Sequence, residues 1–173
     1  MWDRLFKIFK RKPAYRPGPP HPPRFVLTEP CVEALYTCMG PEIHGGHEGV
    51  AYMLGQTDGT VTLAVAAVRP EAKMTRGSFS VSAPAMAKVV RTATRHGLQV
   101  VGQVHTHPGK AYHSDGDVEG AHIVYRGFVS VVLPDYGRDL PALDGAAVYM
   151  FRRKSGFIEV AAERVGIVPG RLP

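Results

Sequence analysis

Residues 98–109 read Leu98-Gln99-Val100-Val101-Gly102-Gln103-Val104-His105-Thr106-His107-Pro108-Gly109. The valine-rich run from Leu98 to His105 predicts a buried strand, bounded by turn residues on its far side. Side chains alternate along a strand, so His105 and His107 leave the same face at its end. Pro108 and Gly109 then turn the chain away and leave room beside the two rings. A short His-x-His pair is weak by itself. Here it stands on a rigid apolar platform, which suits metal ligation.

Ser114-x-x-Asp117 follows within one loop. This spacing is a capping box, in which a serine hydroxyl and an acid three residues on satisfy the first amides of a helix. The same helix start turns Asp117 back toward the strand end. Two neutral imidazoles and one carboxylate suit a Zn2+ ion that keeps a fourth position for water. His113 is a competing third ligand beside His105 and His107. A base outside the ligand set is then needed to accept the water's proton. Glu48, after Gly45-Gly46 at the head of a strand, is the first candidate, and Glu42 beside Pro41 is its rival. His44, His47, His96 and His122 read as surface or supporting groups. Asp115 reads as a helix N-terminal charge.

Outward from this centre the elements alternate. Thr28-Glu29-Pro30 predicts a helix start, with the helix running to about Met39 and stopping at Gly40-Pro41. Glu48 to Gln56 and Thr60 to Val68 predict a hairpin about Asp58-Gly59. Residues 70–82 read as a connection with a short extended piece at Phe79 to Val81. Ser82 and Pro84 open a second helix that Gly97 closes, with Met86, Val89, Val90 and Ala93 inward. A third helix is predicted from Ser114 or Asp115 to about Tyr125. Strands are predicted at Phe128 to Leu133, Ala146 to Arg152 and Phe157 to Ala162. Helices on a mixed, mostly antiparallel sheet make an α/β sandwich.

The chain has 173 residues and a formal charge of +6. Residues 1–24 alone carry +6, from Arg4, Lys7, Lys10, Arg11, Lys12, Arg16 and Arg24 against Asp3. The rest is neutral overall, so the basic charge belongs to the tail and does not argue for a nucleic-acid groove on the domain, and no nucleic-acid partner is expected. Met1 to Lys12 reads as a short basic amphipathic helix, suited to an anionic membrane, a partner or a mobile tail. Six prolines in residues 13–23 predict an extended spacer. The expected organisation is a basic and proline-rich extension at 1–23, a catalytic domain at 24–165 and a tail at 166–173. No segment has the length of a membrane span, and the charged N-terminus does not read as a signal peptide. Cys31 and Cys38 are too far apart on one helix to bridge, which suggests free thiols in a reducing cytoplasm.

Taken together, Glu48, His105-Thr106-His107-Pro108, Ser114 and Asp117 resemble the JAMM motif of the JAB/MPN zinc metalloprotease family. The resemblance spans roughly residues 24–162. Glu48-Gly49-Val50-Ala51-Tyr52-Met53-Leu54-Gly55 is similar to the family's Glu-bearing strand. Phe128-Val129-Ser130-Val131-Val132-Leu133-Pro134 is similar to the strand after its metal-bearing helix. Six residues separate His107 from Ser114, where the family usually has seven, and Ala51 stands where a glycine is common. The resemblance implies a cytidine-deaminase-like α/β sandwich with His105, His107 and Asp117 on zinc. It implies Glu48 as general acid/base and Ser114 as an oxyanion donor. The implied reaction is hydrolysis of a peptide or isopeptide bond after the C-terminal tail of ubiquitin or a ubiquitin-like protein. Met74 and Phe79 are candidates for a wall of the tail-binding groove. About ten residues between Asp117 and the Phe128 strand leave no room for a long second insertion. The compact build therefore resembles bacterial members, with a ubiquitin-like conjugate and activating (E1-like) or conjugating (E2-like) enzymes as expected partners. A non-catalytic scaffold of the same fold and a small-molecule zinc hydrolase in a sulfur-carrier pathway are the alternatives. The chain has no Cys-x-x-Cys ligand set of the nucleobase-deaminase kind.

Overall fold

The computed structural model describes residues 24–114, 116–117 and 123–170. The expected amphipathic helix at Met1 to Lys12, the proline-rich spacer, Asp115 and His122 lie outside the described residues. Among the described residues, ten strands and two long α-helices follow in chain order. They are β1 (Phe25–Thr28), α1 (Glu29–Gly45), β2 (Val50–Thr57), β3 (Thr62–Val68), β4 (Ala72–Met74) and β5 (Phe79–Val81). Then come α2 (Ala83–Arg95), β6 (Gln99–Thr106), β7 (Val129–Leu133), β8 (Ala147–Arg152), β9 (Gly156–Glu159) and β10 (Val165–Val168). Eight strands form one sheet in the order β10-β1-β3-β2-β6-β7-β8-β9, and β4 pairs with β5 separately. The β10/β1, β1/β3 and β6/β7 pairs are parallel and the other pairs antiparallel.

The central strands are buried on both faces, which is why β2 and β6 read as continuous apolar runs. Ala51 and Met53 of β2 join Leu35, Met39 and Val104 in a cluster with α1. Val50, Tyr52 and Leu54 face the other way, against Met86 and Val89 of α2. Gly102 sits where β6 has no room for a side chain. A Cβ there would come within 2.4 Å of the Val129 carbonyl oxygen and 2.6 Å of Met53.

Local signals set the helix starts. Thr28 caps α1 by accepting from the Cys31 amide, and Ser82 caps α2 by accepting from Ala85. Three expectations change. First, α1 does not stop at Gly40-Pro41 but continues to a left-handed cap at Gly46. Pro41 forfeits one backbone bond, yet Met39 and Glu42 on either side of it are buried, and that packing outweighs the loss. Second, Val90 is 40% exposed while Met86, Val89 and Ala93 are buried. The buried stripe is narrower than expected because Val90 falls on its margin. Third, residues 123–125 are not helical, so the third helix does not reach Tyr125. Three short strands were not expected, and of these β4 pairs with β5. β1 and β10 pair with each other in parallel, and residues 166–168 lie in the sheet instead of a tail. Among the described residues, no helix is long and apolar enough to cross a membrane.

Candidate metal centre

β6 ends at Thr106, between its neighbours β2 and β7, and delivers His105 and His107 to the sheet face that carries α2. Asp117 arrives from the helix start after the Pro108–His113 loop. Asp117 Oδ1 lies 3.2 Å from His105 Nε2, and Oδ2 lies 3.5 Å from His107 Nε2. Among the described residues, these three side chains form a group whose ligand atoms all lie within 4.8 Å of one another.

The capping box is present and holds the carboxylate. The Ser114 hydroxyl and backbone N–H both donate to Asp117 Oδ2, at 2.7 and 2.8 Å, and the Asp117 amide returns a 3.3 Å bond to Ser114 Oγ. Burial alone would raise the Asp117 carboxyl. The adjoining His105 and His107 rings and the Ser114 hydroxyl instead hold it well below the usual carboxylate range. Hydrogen bonding to Asp117 raises His107, against the effect of burial.

These residues fit a bound cation. His105 is fully buried; among the described residues its Nδ1 has no partner, and its Nε2 faces Asp117 Oδ1 at 3.2 Å without the geometry of a hydrogen bond. A buried imidazole left so costs about 1–3 kcal/mol unless something ligates it. Two imidazoles and a carboxylate are the donor set that zinc takes in open sites.

Glu48 precedes β2 and is 7% exposed. Burial raises its carboxyl, with His107 opposing and Asp117 reinforcing the shift. Its backbone is held from two sides. The Glu48 amide donates to the Thr75 carbonyl at 2.7 Å, and the next amide, Gly49, donates to buried Thr106 Oγ1 at 2.8 Å. Glu48, Ser114, His107 and Asp117 all line one cleft of about 890 Å³. The rival carboxylate, Glu42, is not in it. Glu42 is buried beneath Arg69, which grips both of its oxygens.

His113 is not part of the convergent group. Its ring stacks on Tyr149 at 4.8 Å and meets Phe157 edge-on at 4.7 Å, so it pins the loop to β8 and β9. Phe79 lines the cleft, with its ring 5.3 Å from that of His105. Met74, its companion in the sequence reading, does not. It packs into the apolar cluster beneath α2 and meets Arg69 through its sulfur.

Several supporting residues carried no sequence signal. Thr106 sits between the histidines and faces the opposite way, tying the site to Gly49. Asp135 and Tyr136 adopt left-handed backbone at φ 49° and 59°. Outside glycine this costs on the order of 1 kcal/mol each. It lets the Tyr136 amide donate to the His107 carbonyl at 2.8 Å and the Asp135 amide to Gly109 at 3.0 Å. The Tyr136 hydroxyl reaches the Arg76 carbonyl at 3.0 Å, so one residue braces both the histidine loop and the tip of the β4–β5 hairpin. Tyr52 and Gln103 form part of the cleft floor.

Comparison with known proteins agrees with this arrangement. The chain is 28% identical over 138 residues to "Probable metalloprotease y4jG" of Sinorhizobium fredii, a match covering 78% of this chain and 85% of that protein. A solution structure of a Desulfitobacterium hafniense protein superposes with a TM-score of 0.59 at 13% identity, covering 84% of this chain and 93% of that one. A Salinibacter ruber protein, also solved in solution, superposes with a TM-score of 0.50 at 22% identity, covering 82% and 90%. At those identities the two structures show the shared fold alone. The family described as prokaryotic homologs of the JAB domain matches residues 44–141, which include Glu48, both histidines, Ser114 and Asp117. A match over more than half of the chain, across the strand end and helix start that carry the convergent histidines and aspartate, places it in the prokaryotic JAB-domain family.

Proposed function

We propose that this chain is a zinc metallopeptidase that hydrolyses the peptide or isopeptide bond after the C-terminal tail of a ubiquitin-like protein. The observation that carries the reading is the convergence of His105, His107 and Asp117 within 4.8 Å, beside the buried carboxyl of Glu48. The printed name of the Sinorhizobium fredii relative supports proteolysis.

His105, His107 and Asp117 would hold the ion. Zinc bound there supplies Lewis-acid polarisation of the scissile carbonyl and of the attacking water. Glu48 accepts the proton that the water loses as its oxygen bonds to the carbonyl carbon. It then returns that proton to the departing nitrogen as the C–N bond breaks, so the products are a carboxylic acid and an amine. A carboxyl raised by burial suits a group that takes and gives back a proton near neutral pH. Ser114 donates to the developing oxyanion by exchanging its present bond to Asp117 Oδ2 for one to substrate. Phe79 and β5 form one wall of the cleft, against which an extended tail of small residues can lie. The chain would act in the cytoplasm on conjugates made by activating and conjugating enzymes of the E1-like and E2-like kind.

The test combines metal analysis with cleavage of ubiquitin-like proteins that carry a C-terminal extension. Wild type should hold about one zinc per chain and release the extension. Glu48→Gln should keep the zinc and lose cleavage by at least a hundredfold, the lower range of general acid–base contributions. Full turnover by Glu48→Gln removes that residue from the mechanism. Absence of zinc in metal-replete protein favours a binding scaffold. Cleavage of unrelated peptides at equal rates removes the ubiquitin-like substrate.

A further inference from the structure

The floor of the cleft carries two polar side chains that the proposed reaction does not use. Tyr52 of β2 and Gln103 of β6 are direct cross-strand partners, one pair removed from Val50 and His105. They therefore lie on the face of His105, about 7 Å from it along the strands. Tyr52 is 2% exposed and Gln103 is 3% exposed. Among the described residues, neither the Tyr52 hydroxyl nor the Gln103 carboxamide has a hydrogen-bond partner, and neither is sealed from the cleft that both line.

Their neighbours on this face include the buried apolar Val50, Leu54, Val81 and Val100, and Ser130, the β7 partner of Gln103, a buried hydroxyl without a hydrogen-bond partner among the described residues. Open to the cleft, the two polar ends can exchange water for a substrate group that offers matching hydrogen bonds. Phenylalanine and leucine would pack the same space without offering any. A hydroxyl and a carboxamide can each donate and accept. Placed side by side, they match both halves of an amide or the single oxygen of an alcohol. The floor offers nothing to pair with a full charge. Among the described residues, the cation lining the cleft is Lys110, which stands at the exposed rim. The carboxyls of Glu48 and Asp117 are committed to the metal end.

We propose that Tyr52 and Gln103 form a specificity pocket that selects substrates bearing a neutral hydrogen-bonding group, a carboxamide or hydroxyl, about 7 Å along the strands from the His105 position. The proposal rests on the metallopeptidase reading and adds the recognition that reading lacks. Pockets built to hydrogen-bond a substrate group reject analogues without it far more strongly than apolar pockets reject a missing methylene.

The probes are alkane hydroxamic acids, which chelate zinc through the hydroxamate. Their arms carry two to four methylenes and end in a carboxamide, an isosteric isopropyl group or a carboxylate. Affinities for the zinc-loaded full chain are measured by calorimetry. In wild type the best carboxamide arm should bind at least tenfold tighter than its isopropyl and carboxylate counterparts. Gln103→Leu and Tyr52→Phe should each bring the carboxamide down to the isopropyl level, with zinc content unchanged. Two variants are used so that misfolding of one does not remove the test. Equal wild-type affinity for carboxamide and isopropyl arms overturns the pocket. So does a preference that survives in both variants, or a zinc-loaded chain that binds none of the hydroxamates. A chain that takes up no zinc overturns the metallopeptidase reading itself, and the pocket with it, and metal analysis separates that result from the others.

Discussion

Thr106→Val tests how the proposed base is held. The Thr106 side chain is fully buried, and its Oγ1 accepts the Gly49 amide at 2.8 Å. Valine keeps the shape and removes the acceptor. The reciprocal bond, from the Thr106 amide to the Gly49 carbonyl at 3.1 Å, is untouched. Leaving one buried N–H unsatisfied costs about 1–3 kcal/mol. In a domain of this size each kcal/mol lowers the melting temperature by about 2–4 °C, so the melt should fall by roughly 2–12 °C. The functional effect should exceed the stability effect, because Gly49 is bonded directly to Glu48. With the amide released, the segment keeps the Thr75 bond and the longer Gly49 carbonyl bond but loses its shortest tie to β6, and the Glu48 carboxyl samples positions away from His107 and Asp117. A displacement of about 1 Å at a reacting group can cost on the order of a hundredfold in rate. The assay pairs thermal melts with single-turnover cleavage and zinc content, on wild type, Thr106→Val and Thr106→Ser. The serine variant keeps the hydroxyl and should keep most of the rate. A valine variant that melts within 1 °C of wild type and cleaves at the wild-type rate would refute the reasoning, since the Thr106–Gly49 bond would then hold nothing of consequence.

Metal removal should destabilise the folded chain. At a free zinc concentration of about 100 times Kd the ion contributes about 2.7 kcal/mol, so a chelator should lower the melt by roughly 5–11 °C. Asp117→Ala should bind no zinc and show no such shift, and a chelator response that persists in that variant would place the metal elsewhere. In metal-free protein, the raised pKa of His107 ties stability to pH. A histidine that binds its proton more tightly when folded contributes fully below its unfolded pKa of about 6.5. That contribution disappears as pH rises through the folded value. Denaturant titrations of metal-free wild type and His107→Gln should therefore differ most near pH 5.5 and converge in alkali. A gap that widens with rising pH would contradict the Asp117–His107 pairing.

Much of the site was legible because it depends on short-range geometry. Alternation along β6 put His105 and His107 on one face, and the Ser114–Asp117 spacing gave the capping box, both as found. The hairpin about Asp58-Gly59 and the caps of both helices likewise follow from a few consecutive residues. What escaped detection depended on partners distant in sequence. Phe25–Thr28 and Val165–Val168 are strands because each pairs with the other and β1 also pairs with β3. Four residues alone show too little periodicity to announce that. Pro41 read as a stop because the burial of Met39 and Glu42 against the sheet was not visible from the helix sequence. His113 and Glu42 were reasonable rivals on residue type. Stacking on Tyr149 disposed of the first, and the Arg69 pair disposed of the second.

From its residue order alone, the chain specified a buried strand ending in two same-faced imidazoles, a helix start presenting a carboxylate, and an acid at the head of a neighbouring strand. Backbone periodicity and capping act over a handful of residues, so these needed no further context. Tertiary structure decided which groups meet. It brought Glu48 under the hairpin at Thr75, left Tyr52 and Gln103 unpaired on one floor, and let Tyr136 clamp two loops from far along the chain. Those outcomes depend on the register of paired strands and on which face each element buries, and both are set by the packing of the whole sheet.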